Sequence, residues 1–391
     1  AKQESIEEIL ELAKLKEEGR IKAIVVTGCL AERYQQEIAK ELPEVNAVVG
    51  IGANKEIARI VREALEGKRI ETFPPKCELP LEGERVQSTP SYFSYLKIAE
   101  GCDNHCTYCA IPLIRGGYRS RKMEDILAEA EKLAQWGVKE LMVIAQDTTR
   151  YGEDLYGEGK LPQLLTELCK VEGLRWIRVL YCYPERITDE LLEVMAKEDK
   201  ILKYMDLPLQ HCSRQVLRAM NRQGDRESLS ALIRKIREKV PGIVLRTTFM
   251  VGFPGETEEA FEELAEFAKE MRFERMGCFA YSQEEGTPAA RLPDQISREI
   301  KEHRQELMME QQMALMDEMS REMVGKTITV LNEGWDRYAE CCFGRSAADA
   351  PEIDTKVFFT VEGKKPYPGM FVQVEITDTM DCDLIGQVVT T

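Results

Sequence analysis

Strand-like and helix-like hydrophobic patterns alternate through the middle of the chain, six times between Tyr95 and Tyr281. Because repeated βα units form parallel sheets with right-handed crossovers, this alternation predicts an α/β fold with an open (βα)6 barrel, three-quarters of the eight-stranded form. Chemistry in such barrels lies at the carboxyl ends of the strands. The predicted strands are 95–99, 139–145, 175–181, 203–207, 243–250 and 275–281, and the helices between them are 123–135, 161–170, 188–196, 226–238 and 257–270.

A shorter α/β pattern precedes the barrel. A helical stripe of apolar residues begins the chain, and a buried strand at 21–27, a helix at 31–42 and a second strand at 45–49 follow it. The chain starts at Ala1 and not at a methionine, so we expect its natural start to be missing and this domain to be incomplete. Prolines and polar residues then dominate 71–90, which is typical of a linker.

Two further elements complete the chain. Apolar positions over 297–323 have the spacing of a long helix packed on the barrel. Short alternating strands with glycine and proline turns fill 326–389, which predicts a small five-stranded β-barrel of the OB kind. We therefore expect four segments: an incomplete N-terminal domain at 1–75, a linker at 76–90, the barrel with its connecting helix at 91–322, and the small β-barrel at 323–391.

Composition restricts the class of protein. The chain has 391 residues, of which 43% are hydrophobic and 31% charged, as in a soluble globular protein of two or three domains. No apolar run approaches the roughly 18–20 residues that a membrane span needs. Twelve cysteines in a long chain with an ordinary core indicate a reducing compartment, where thiols stay free for metal. We expect a cytoplasmic protein that has no membrane partner.

The negative charge of the chain favours basic partners. The net charge is −16, and over 326–389 six Lys and Arg face eleven Asp and Glu, a balance of −5. Nucleic-acid binders usually carry a basic surface, whereas an acidic surface attracts a basic protein. A local basic group at Arg115, Arg119, Arg121 and Lys122 can still bind phosphates, so charge alone excludes neither class of partner.

Cys102, Cys106 and Cys109 form a C-x3-C-x2-C motif directly after the first predicted barrel strand. Three thiolates on one loop hold three irons of a 4Fe–4S cluster and leave the fourth iron open. A ferredoxin would bring a fourth cysteine in a Cys-Pro pair and a zinc knuckle would bring paired Cys-x2-Cys units, and neither occurs here. Since a structural metal site closes its last position, the open set favours a catalytic centre. Three unligated thiols on a turn are the alternative.

This motif after a barrel strand resembles the radical S-adenosylmethionine (SAM) superfamily, in which SAM chelates the open iron and an electron from the cluster releases a 5′-deoxyadenosyl radical. Five segments resemble the methylthiotransferases, which convert a C–H bond to C–S–CH3 with two SAM molecules, one as methyl donor and one as radical source. Those enzymes also have a second 4Fe–4S cluster in an N-terminal domain and a C-terminal TRAM barrel. The segments are VTGCLAERY (26–34), AEGCDNHCTYCAIPLIRG (99–116), YMDLPLQHCS (204–213), RTTFMVGFPGETEE (246–259) and GRSAADAPEID (344–354).

Two of these segments distinguish between branches of the family. LPLQHCS and GRSAADAPEID resemble the RimO-type branch, which modifies the β-carbon of one aspartate in a small-subunit ribosomal protein, the twelfth in its numbering. The resemblance implies a basic ribosomal protein as substrate, argues against tRNA, and implies an electron donor such as a flavodoxin or ferredoxin. Two alternatives stay open: a tRNA adenosine methylthiotransferase with the same chemistry, and a non-catalytic ribosome- or RNA-binding protein with a structural cluster.

The family binds its second cluster through three N-terminal cysteines, and only Cys29 matches one of them. The resemblance places the other two upstream of Ala1, so we expect this chain alone to hold the barrel cluster and not the second one. His211 and Cys212 follow the fourth barrel strand, where a hydrogen-bonded histidine is a better interpretation than a metal site. The other cysteines are expected to be packing residues: Cys77, Cys169, Cys182, Cys278, Cys341, Cys342 and Cys382.

The resemblance also implies a SAM site at the carboxyl ends of the strands. Tyr108 lies where an aromatic ring covers the adenine. Gln146 and Asp147, after the second strand, take the place that binds the SAM amino group, because an oxygen acceptor suits an ammonium donor. Gln210, after the fourth strand, is expected to hydrogen-bond the ribose or the methionyl group.

The fifth strand adds the remaining expected SAM contacts. Arg246 suits the SAM carboxylate, since guanidinium and carboxylate pair through charged hydrogen bonds, but its place at the start of the strand also fits a structural ion pair. The turn that contains Gly252 and Gly255 is expected to approach the adenine, because glycine permits close contact with the backbone.

Overall fold

A three-stranded parallel sheet forms the centre of the N-terminal region of the computed structural model, which describes residues 2–389. The elements are α1 (Lys2–Glu17), β1 (Val25–Thr27), α2 (Cys29–Glu41), β2 (Ala47–Val49), α3 (Ile57–Leu65) and β3 (Ile70–Thr72). Apolar residues of α1 and α2 pack on β1, as the α/β pattern predicts. The sequence pattern does not predict β3, because a strand of three residues with one apolar side chain has no visible alternation.

The six predicted barrel strands are confirmed, with ends that differ from the predicted ones by a few residues. The elements are β4 (Phe93–Lys97), β5 (Ala99–Glu100), α4 (Ile111–Arg115), β6 (Arg119–Ser120), α5 (Met123–Gln135), β7 (Glu140–Ile144), α6 (Glu153–Tyr156), α7 (Leu161–Cys169), β8 (Trp176–Val179), α8 (Asp189–Lys197), β9 (Ile201–Asp206), α9 (Arg214–Ala219), α10 (Arg226–Lys239), β10 (Val244–Val251), α11 (Glu258–Met271), β11 (Arg275–Ala280) and α12 (Arg298–Arg321). One parallel sheet has the order β11-β10-β9-β8-β7-β4, and the two strands β5 and β6 form a separate small sheet.

Four helices of this region begin where the sequence provides side-chain caps. Thr188, Thr257 and Ser297 each accept a hydrogen bond from an amide in the first turn of α8, α11 and α12, and Asp225 forms a capping box at α10. Each such cap stabilises a helix start by about 1 kcal/mol. Between these helices, β8 is buried along its whole length, whereas buried and partly exposed residues alternate along β10. No helix in residues 2–389 is long and apolar enough to cross a membrane.

A closed five-stranded barrel follows α12, and the predicted small barrel is confirmed. Its strands are β12 (Thr327–Asp336), β13 (Cys341–Ser346), β14 (Val357–Thr360), β15 (Phe371–Met380) and β16 (Asp383–Val388), in the order β12-β13-β14-β16-β15. Its interior holds Val330, Val357, Phe359, Val374 and Ile376. Closure leaves no free strand edge, which a small β domain needs in order to avoid edge-to-edge association.

Buried ion pairs fix the segment 344–354 at the amino ends of the barrel strands. Glu140, the first residue of β7, is fully buried and accepts hydrogen bonds from Arg178 Nε (2.9 Å) and Arg345 Nη2 (2.7 Å). Two more carboxylates continue the network: Glu333 accepts a hydrogen bond from Arg345 Nε (2.8 Å), and Asp349 pairs with Arg275, the first residue of β11. Removing one partner of such a pair costs about 3–5 kcal/mol, since the other charge then stays buried alone. The segment therefore has a structural role at this end of the barrel.

Candidate functional site

The loop that carries the three cysteines begins at Gly101, and only a residue without a Cβ fits there. Gly101 has a φ of +80°, and a Cβ would lie 2.1 Å from the carbonyl oxygen of Gly117. In this arrangement the Cys102 amide donates a hydrogen bond to the Gly116 oxygen (3.1 Å). The glycine thus determines the backbone path that presents Cys102.

The middle of the loop is held by hydrogen bonds from Thr107. Its amide donates to the Met220 oxygen (3.0 Å), and its hydroxyl donates to the Ala219 oxygen (2.8 Å), both at the end of α9. Its own carbonyl oxygen accepts from the Ala289 amide (2.9 Å). Three hydrogen bonds to two separate segments therefore fix the backbone next to Cys106.

The thiols of the motif have the chemistry that a cluster needs. Cys102 and Cys106 are buried, Cys109 is partly exposed, and all three are cysteines outside any disulfide bond. His105 between them has a φ of 50°, a left-handed conformation that is uncommon for residues other than glycine. Within residues 2–389, no three His, Cys, Asp or Glu side chains converge closely enough to hold a metal ion. The three cysteines of this one loop are nevertheless, by their chemistry, a donor set that fits a cluster with three protein ligands.

Cys29 lies at the start of α2, where it is exposed to solvent. The guanidinium of Arg115, from α4, donates a hydrogen bond to the Cys29 sulfur (3.1 Å). A second nitrogen of Arg115 lies 3.7 Å from a carboxylate oxygen of the buried Glu100. Cys29 is therefore next to the helix that ends the cysteine loop, and its role as a metal ligand stays a prediction.

The predicted SAM-binding residues on the first two strands have different surroundings. Tyr108 packs in an apolar cluster with Phe253 and Tyr281, so its ring lies beside the turn that follows β10. Gln146 is half-buried just after β7. Asp147 is buried and accepts a hydrogen bond from the Thr149 hydroxyl (2.6 Å). Each residue follows the strand that the sequence predicts, and binding of SAM by them stays a prediction.

Gln210 has a strained backbone and is joined to β10 by main-chain hydrogen bonds. Its φ is 70°. Its amide donates to the Thr248 oxygen (2.8 Å), and its carbonyl oxygen accepts from the Met250 amide (2.7 Å). These bonds fix the backbone while the side chain is only half-buried, which suits a residue that contacts a ligand.

Arg246 forms the structural ion pair that the sequence leaves open as its second interpretation. Its Nη1 donates to Asp354 Oδ1 (2.7 Å), and its Nε lies 3.7 Å from Asp206 Oδ1. Burial raises the pKa of Asp206 to about 6. A contact between Arg246 and the SAM carboxylate stays a prediction. It would require the guanidinium to bind Asp354 and the SAM carboxylate at the same time.

The turn after β10 is closed by Glu256, a residue that the sequence interpretation does not single out. Gly252 and Gly255 have φ values of +70° and +81°. Glu256 Oε2 accepts hydrogen bonds from the amides of Gly252 (2.7 Å) and Phe253 (3.3 Å), and Oε1 accepts from Arg304 Nη1 (2.8 Å). Desolvation raises the pKa of Glu256 to about 7. Its position at the end of the GFPGE segment is the only sequence signal for this role.

His211 is a buried, hydrogen-bonded histidine, which is the interpretation that the sequence analysis prefers to a metal site. Its Nδ1 accepts from the Ser213 amide (2.9 Å), so the proton of the neutral ring is on Nε2. That Nε2 is buried, has no hydrogen-bond partner and lies 3.8 Å from Glu256 Oε2. Desolvation, followed by the charge of Arg304, lowers the pKa of His211 from 6.5 to about 3.

This shift predicts an acid-sensitive contribution to stability. Above pH 6.5 His211 is neutral in both states, whereas below it the unfolded chain binds a proton that the folded chain does not. The contribution is therefore complete above pH 6.5 and decreases as the pH falls toward 3. Between pH 6.5 and 4.5 we expect the free energy of unfolding of the wild type to fall by about 2 kcal/mol more than that of His211→Asn. Urea unfolding curves across this pH range measure both proteins.

His303 provides the matched control for this measurement. It is exposed on α12, so the pH dependence of His303→Asn should follow that of the wild type. Asparagine at 211 keeps an acceptor for the Ser213 amide, which limits other losses. Parallel curves for the wild type and His211→Asn would contradict the proposed burial of the neutral ring.

The other buried cysteines have the properties of packing residues. Burial raises the pKa of the Cys169 thiol to about 11 and that of Cys278 to about 12. Burial also raises the pKa of Cys182 and Cys212. A raised pKa keeps a thiol protonated, and a protonated thiol is a poor nucleophile and a poor metal ligand. Cys77 differs because it is exposed.

Two residues next to Cys106 are absent from the sequence interpretation. The hydroxyl of Tyr183 lies 2.7 Å from the Cys106 sulfur. The guanidinium of Arg222 lies 4.0 Å from the centre of the Tyr183 ring. The position of Tyr183 after the third strand could have indicated it, whereas nothing in the sequence around Arg222 links it to the cysteines.

Three known protein families match successive ranges of the chain. The Radical SAM superfamily matches residues 96–268, the TRAM domain matches residues 324–389, and the uncharacterized protein family UPF0004 matches residues 1–50. A solved structure of the radical SAM methyltransferase TsrM from Kitasatospora setae, with cobalamin and a 4Fe–4S cluster bound, has a similar fold. Its TM-score is 0.54 at 16% identity, and the match covers 72% of this chain and 62% of that one.

Curated relatives match over nearly the whole chain. The ribosomal protein uS12 methylthiotransferase RimO of Pelotomaculum thermopropionicum is 51% identical over 393 residues, which covers 100% of this chain and 88% of that protein. The protein of the same name from Clostridioides difficile is 48% identical over 395 residues, with coverage of 99% and 87%. Identity of about half over the full chain is far more than a shared fold requires. The chain therefore belongs to the RimO family of radical SAM methylthiotransferases.

Proposed function

We propose that this protein attaches a methylthio group to ribosomal protein uS12, at the β-carbon of one aspartate. The observation that carries this proposal is the 51% identity, over the whole chain, to a protein named ribosomal protein uS12 methylthiotransferase. A β-C–H bond beside a carboxylate is a reasonable target for radical chemistry. Its deprotonation would put two negative charges side by side, and homolysis avoids that charge.

In the proposed enzyme, Cys102, Cys106 and Cys109 hold a 4Fe–4S cluster with one open iron. With SAM bound, that cluster supplies the one-electron chemistry needed to break an unreactive C–H bond, and the protein supplies orientation. Thr107 keeps the loop in one conformation through its hydrogen bonds to Ala219 and Met220. This rigidity fixes the backbone next to Cys106 before the cofactors bind.

The SAM site that we propose lies at the carboxyl ends of the barrel strands. Tyr108 would cover the adenine, because its ring shares an apolar cluster with Phe253 of the turn after β10. The oxygens of Gln146 and Asp147 would accept from the SAM ammonium group. The apolar cluster also excludes water, which protects a reactive intermediate from side reactions.

Further partners follow from the same proposal. Cys29 would be one ligand of a second cluster, and Arg115 donates a hydrogen bond to its sulfur. A flavodoxin or ferredoxin would supply the electron. We also place the protein in the cytoplasm, where ribosomal proteins are made. The segment bounds 1–75, 76–90, 91–322 and 323–391 stay predictions.

A tRNA adenosine methylthiotransferase is the second candidate, because it would use the same cluster and the same barrel. The charge of the C-terminal barrel argues against it. Six Lys and Arg against eleven Asp and Glu over 326–389 would repel a polyanion and attract a basic ribosomal protein. This attraction should weaken as salt rises, because ions screen it.

Coexpression distinguishes the two candidates. The complete gene product would be produced in a bacterial host that lacks its own uS12 and tRNA methylthiotransferases, followed by intact-mass analysis of uS12 and mass spectrometry of tRNA nucleosides. We expect uS12 to gain a methylthio group in place of one hydrogen, on an aspartate, with no methylthio mark on tRNA. Cys102→Ala should leave uS12 unmodified. A methylthio mark on adenosine with unmodified uS12 would move the protein to the tRNA branch.

A further inference from the structure

Tyr183 is held rigidly beside the Cys106 sulfur. It follows β8 and precedes a short 3-10 turn at Pro184–Arg186, whose proline restricts the backbone. The Tyr183 amide donates a hydrogen bond to the Thr149 hydroxyl (3.1 Å). Its own hydroxyl lies 2.7 Å from Cys106 Sγ. A phenol in this position can donate to the sulfur, and its backbone has little freedom to move away.

Arg222 fixes the ring of Tyr183 from one face. Its guanidinium lies 4.0 Å from the ring centre, and the residue is 7% exposed. Its Nη2 donates to the Pro208 oxygen (3.1 Å), and its Nε lies 3.5 Å from a carboxylate oxygen of Glu185. The planar guanidinium thus lies between the Pro208 oxygen and the Glu185 carboxylate, and it stacks on the phenol ring. Cys106, Tyr183 and Arg222 form a buried thiol–phenol–guanidinium column.

A sulfur bound to iron has no proton, so within this column the hydroxyl of Tyr183 must be the donor. Hydrogen bonds to the sulfurs are among the factors that set the potential of an iron–sulfur cluster. The reduced cluster carries one more negative charge, so a donor to its ligand stabilises the reduced form more than the oxidised form. The buried positive charge of Arg222 acts in the same direction.

We propose that Tyr183 is a positioning residue that donates a hydrogen bond to the cluster-bound Cys106 sulfur and, stacked on Arg222, raises the reduction potential of the cluster. This inference rests on the proposed function, because it requires a cluster at Cys106. If so, a residue that follows the third barrel strand, and that is not a ligand, makes the cluster easier to reduce.

Tyr183→Phe tests the hydrogen bond with little change in shape, since it keeps the ring that stacks on Arg222. Tyr181→Phe is the matched control, because it removes a hydroxyl from the same segment, at a half-exposed side chain that makes no hydrogen bond to the cysteine loop. Both variants and the wild type would be reconstituted anaerobically, assayed for iron and sulfide, and titrated by electron paramagnetic resonance at controlled potentials. Arg222→Gln and Arg222→Lys would separate the effect of the positive charge, which only lysine keeps, from the effect of stacking on the Tyr183 ring.

We expect equal cluster content in the three proteins, and a ratio of reduced to oxidised cluster in Tyr183→Phe about tenfold below that of the wild type at the same potential. For a one-electron couple this is about 59 mV. Tyr181→Phe should be unchanged, and Arg222→Gln should lower the ratio more than Arg222→Lys does. An unchanged potential in a fully loaded Tyr183→Phe would overturn the inference.

Two other outcomes remain interpretable. If the wild type itself binds no cluster through Cys102, Cys106 and Cys109, the proposed function fails, and the inference fails with it. If only Tyr183→Phe fails to load, a fluorinated tyrosine at position 183 replaces it in the test. Fluorine makes the phenol a stronger donor, so the ratio of reduced to oxidised cluster should then rise. No rise would overturn the inference.

Discussion

Replacing Cys106 with alanine is expected to abolish the formation of 5′-deoxyadenosine from SAM. The motif provides three thiols and no fourth protein ligand, so the loss of one leaves two irons without protein sulfur. Changes in residues that only support metal ligands already cost about 10–100-fold, and the loss of a ligand itself should cost at least about a hundredfold. The measurement is the yield of 5′-deoxyadenosine by chromatography after reduction with dithionite, together with iron and sulfide content.

Cys77→Ala is the control for the loss of a thiol. Cys77 is exposed and lies outside the motif, so its removal should change neither the iron content nor the yield of 5′-deoxyadenosine. Cys102→Ala and Cys109→Ala should behave as Cys106→Ala does. A triple alanine variant that still cleaves SAM would show that the open iron lies elsewhere. A wild type that loads a cluster but never cleaves SAM would favour the non-catalytic alternative.

The sequence predicts the barrel well because its strands are mostly apolar segments separated by amphipathic helices. β8 lies within the predicted 175–181, and α5 has the predicted bounds 123–135. Such patterns depend only on local periodicity, which the sequence shows directly. The short strand β3 shows the limit, because three residues provide too little periodicity to be recognised.

The residues that support the site could not be predicted in the same way. Tyr183 and Arg222 are far apart in the sequence from Cys106, and only the packing of separate βα units brings them together. Glu256 and Arg304 likewise meet across the end of β10 and the helix α12. No local pattern encodes such contacts, so the structure is needed to find them.

For the segment GRSAADAPEID, the sequence and the structure suggest different roles. In the sequence it indicates the branch of the family, which suggests a role in recognition. In the structure Arg345 and Asp349 of this segment form buried ion pairs with Glu140 and Arg275, at the amino ends of β7 and β11. Chemistry in such barrels lies at the carboxyl ends. The segment therefore fixes how the small barrel is attached, and this structural role is one way in which it can differ between the branches.

Gly101→Ala is expected to remove most of the cluster although no ligand is changed. A Cβ at this position would lie 2.1 Å from the Gly117 oxygen and 2.7 Å from the Gly116 oxygen, so the backbone must move. That movement breaks the hydrogen bond from the Cys102 amide to Gly116 and displaces the first ligand. Since a displacement of about 1 Å can cost about a hundredfold in rate, we expect 5′-deoxyadenosine formation to fall by about that factor. Iron content and product yield measure the two effects.

Gly116→Ala separates the clash from the cost of the backbone conformation. Gly116 has a φ of +78° and a ψ of −166°, a conformation that is essentially restricted to glycine, so alanine is strained at this position too. A Cβ on Gly116, however, would meet only the Lys76 side chain, at an ordinary 3.7 Å. The strain alone costs about 1–3 kcal/mol of stability, which should leave the cluster in place. If both variants lose iron equally, the strained backbone at positive φ and not the contact with Gly117 determines how Cys102 is presented.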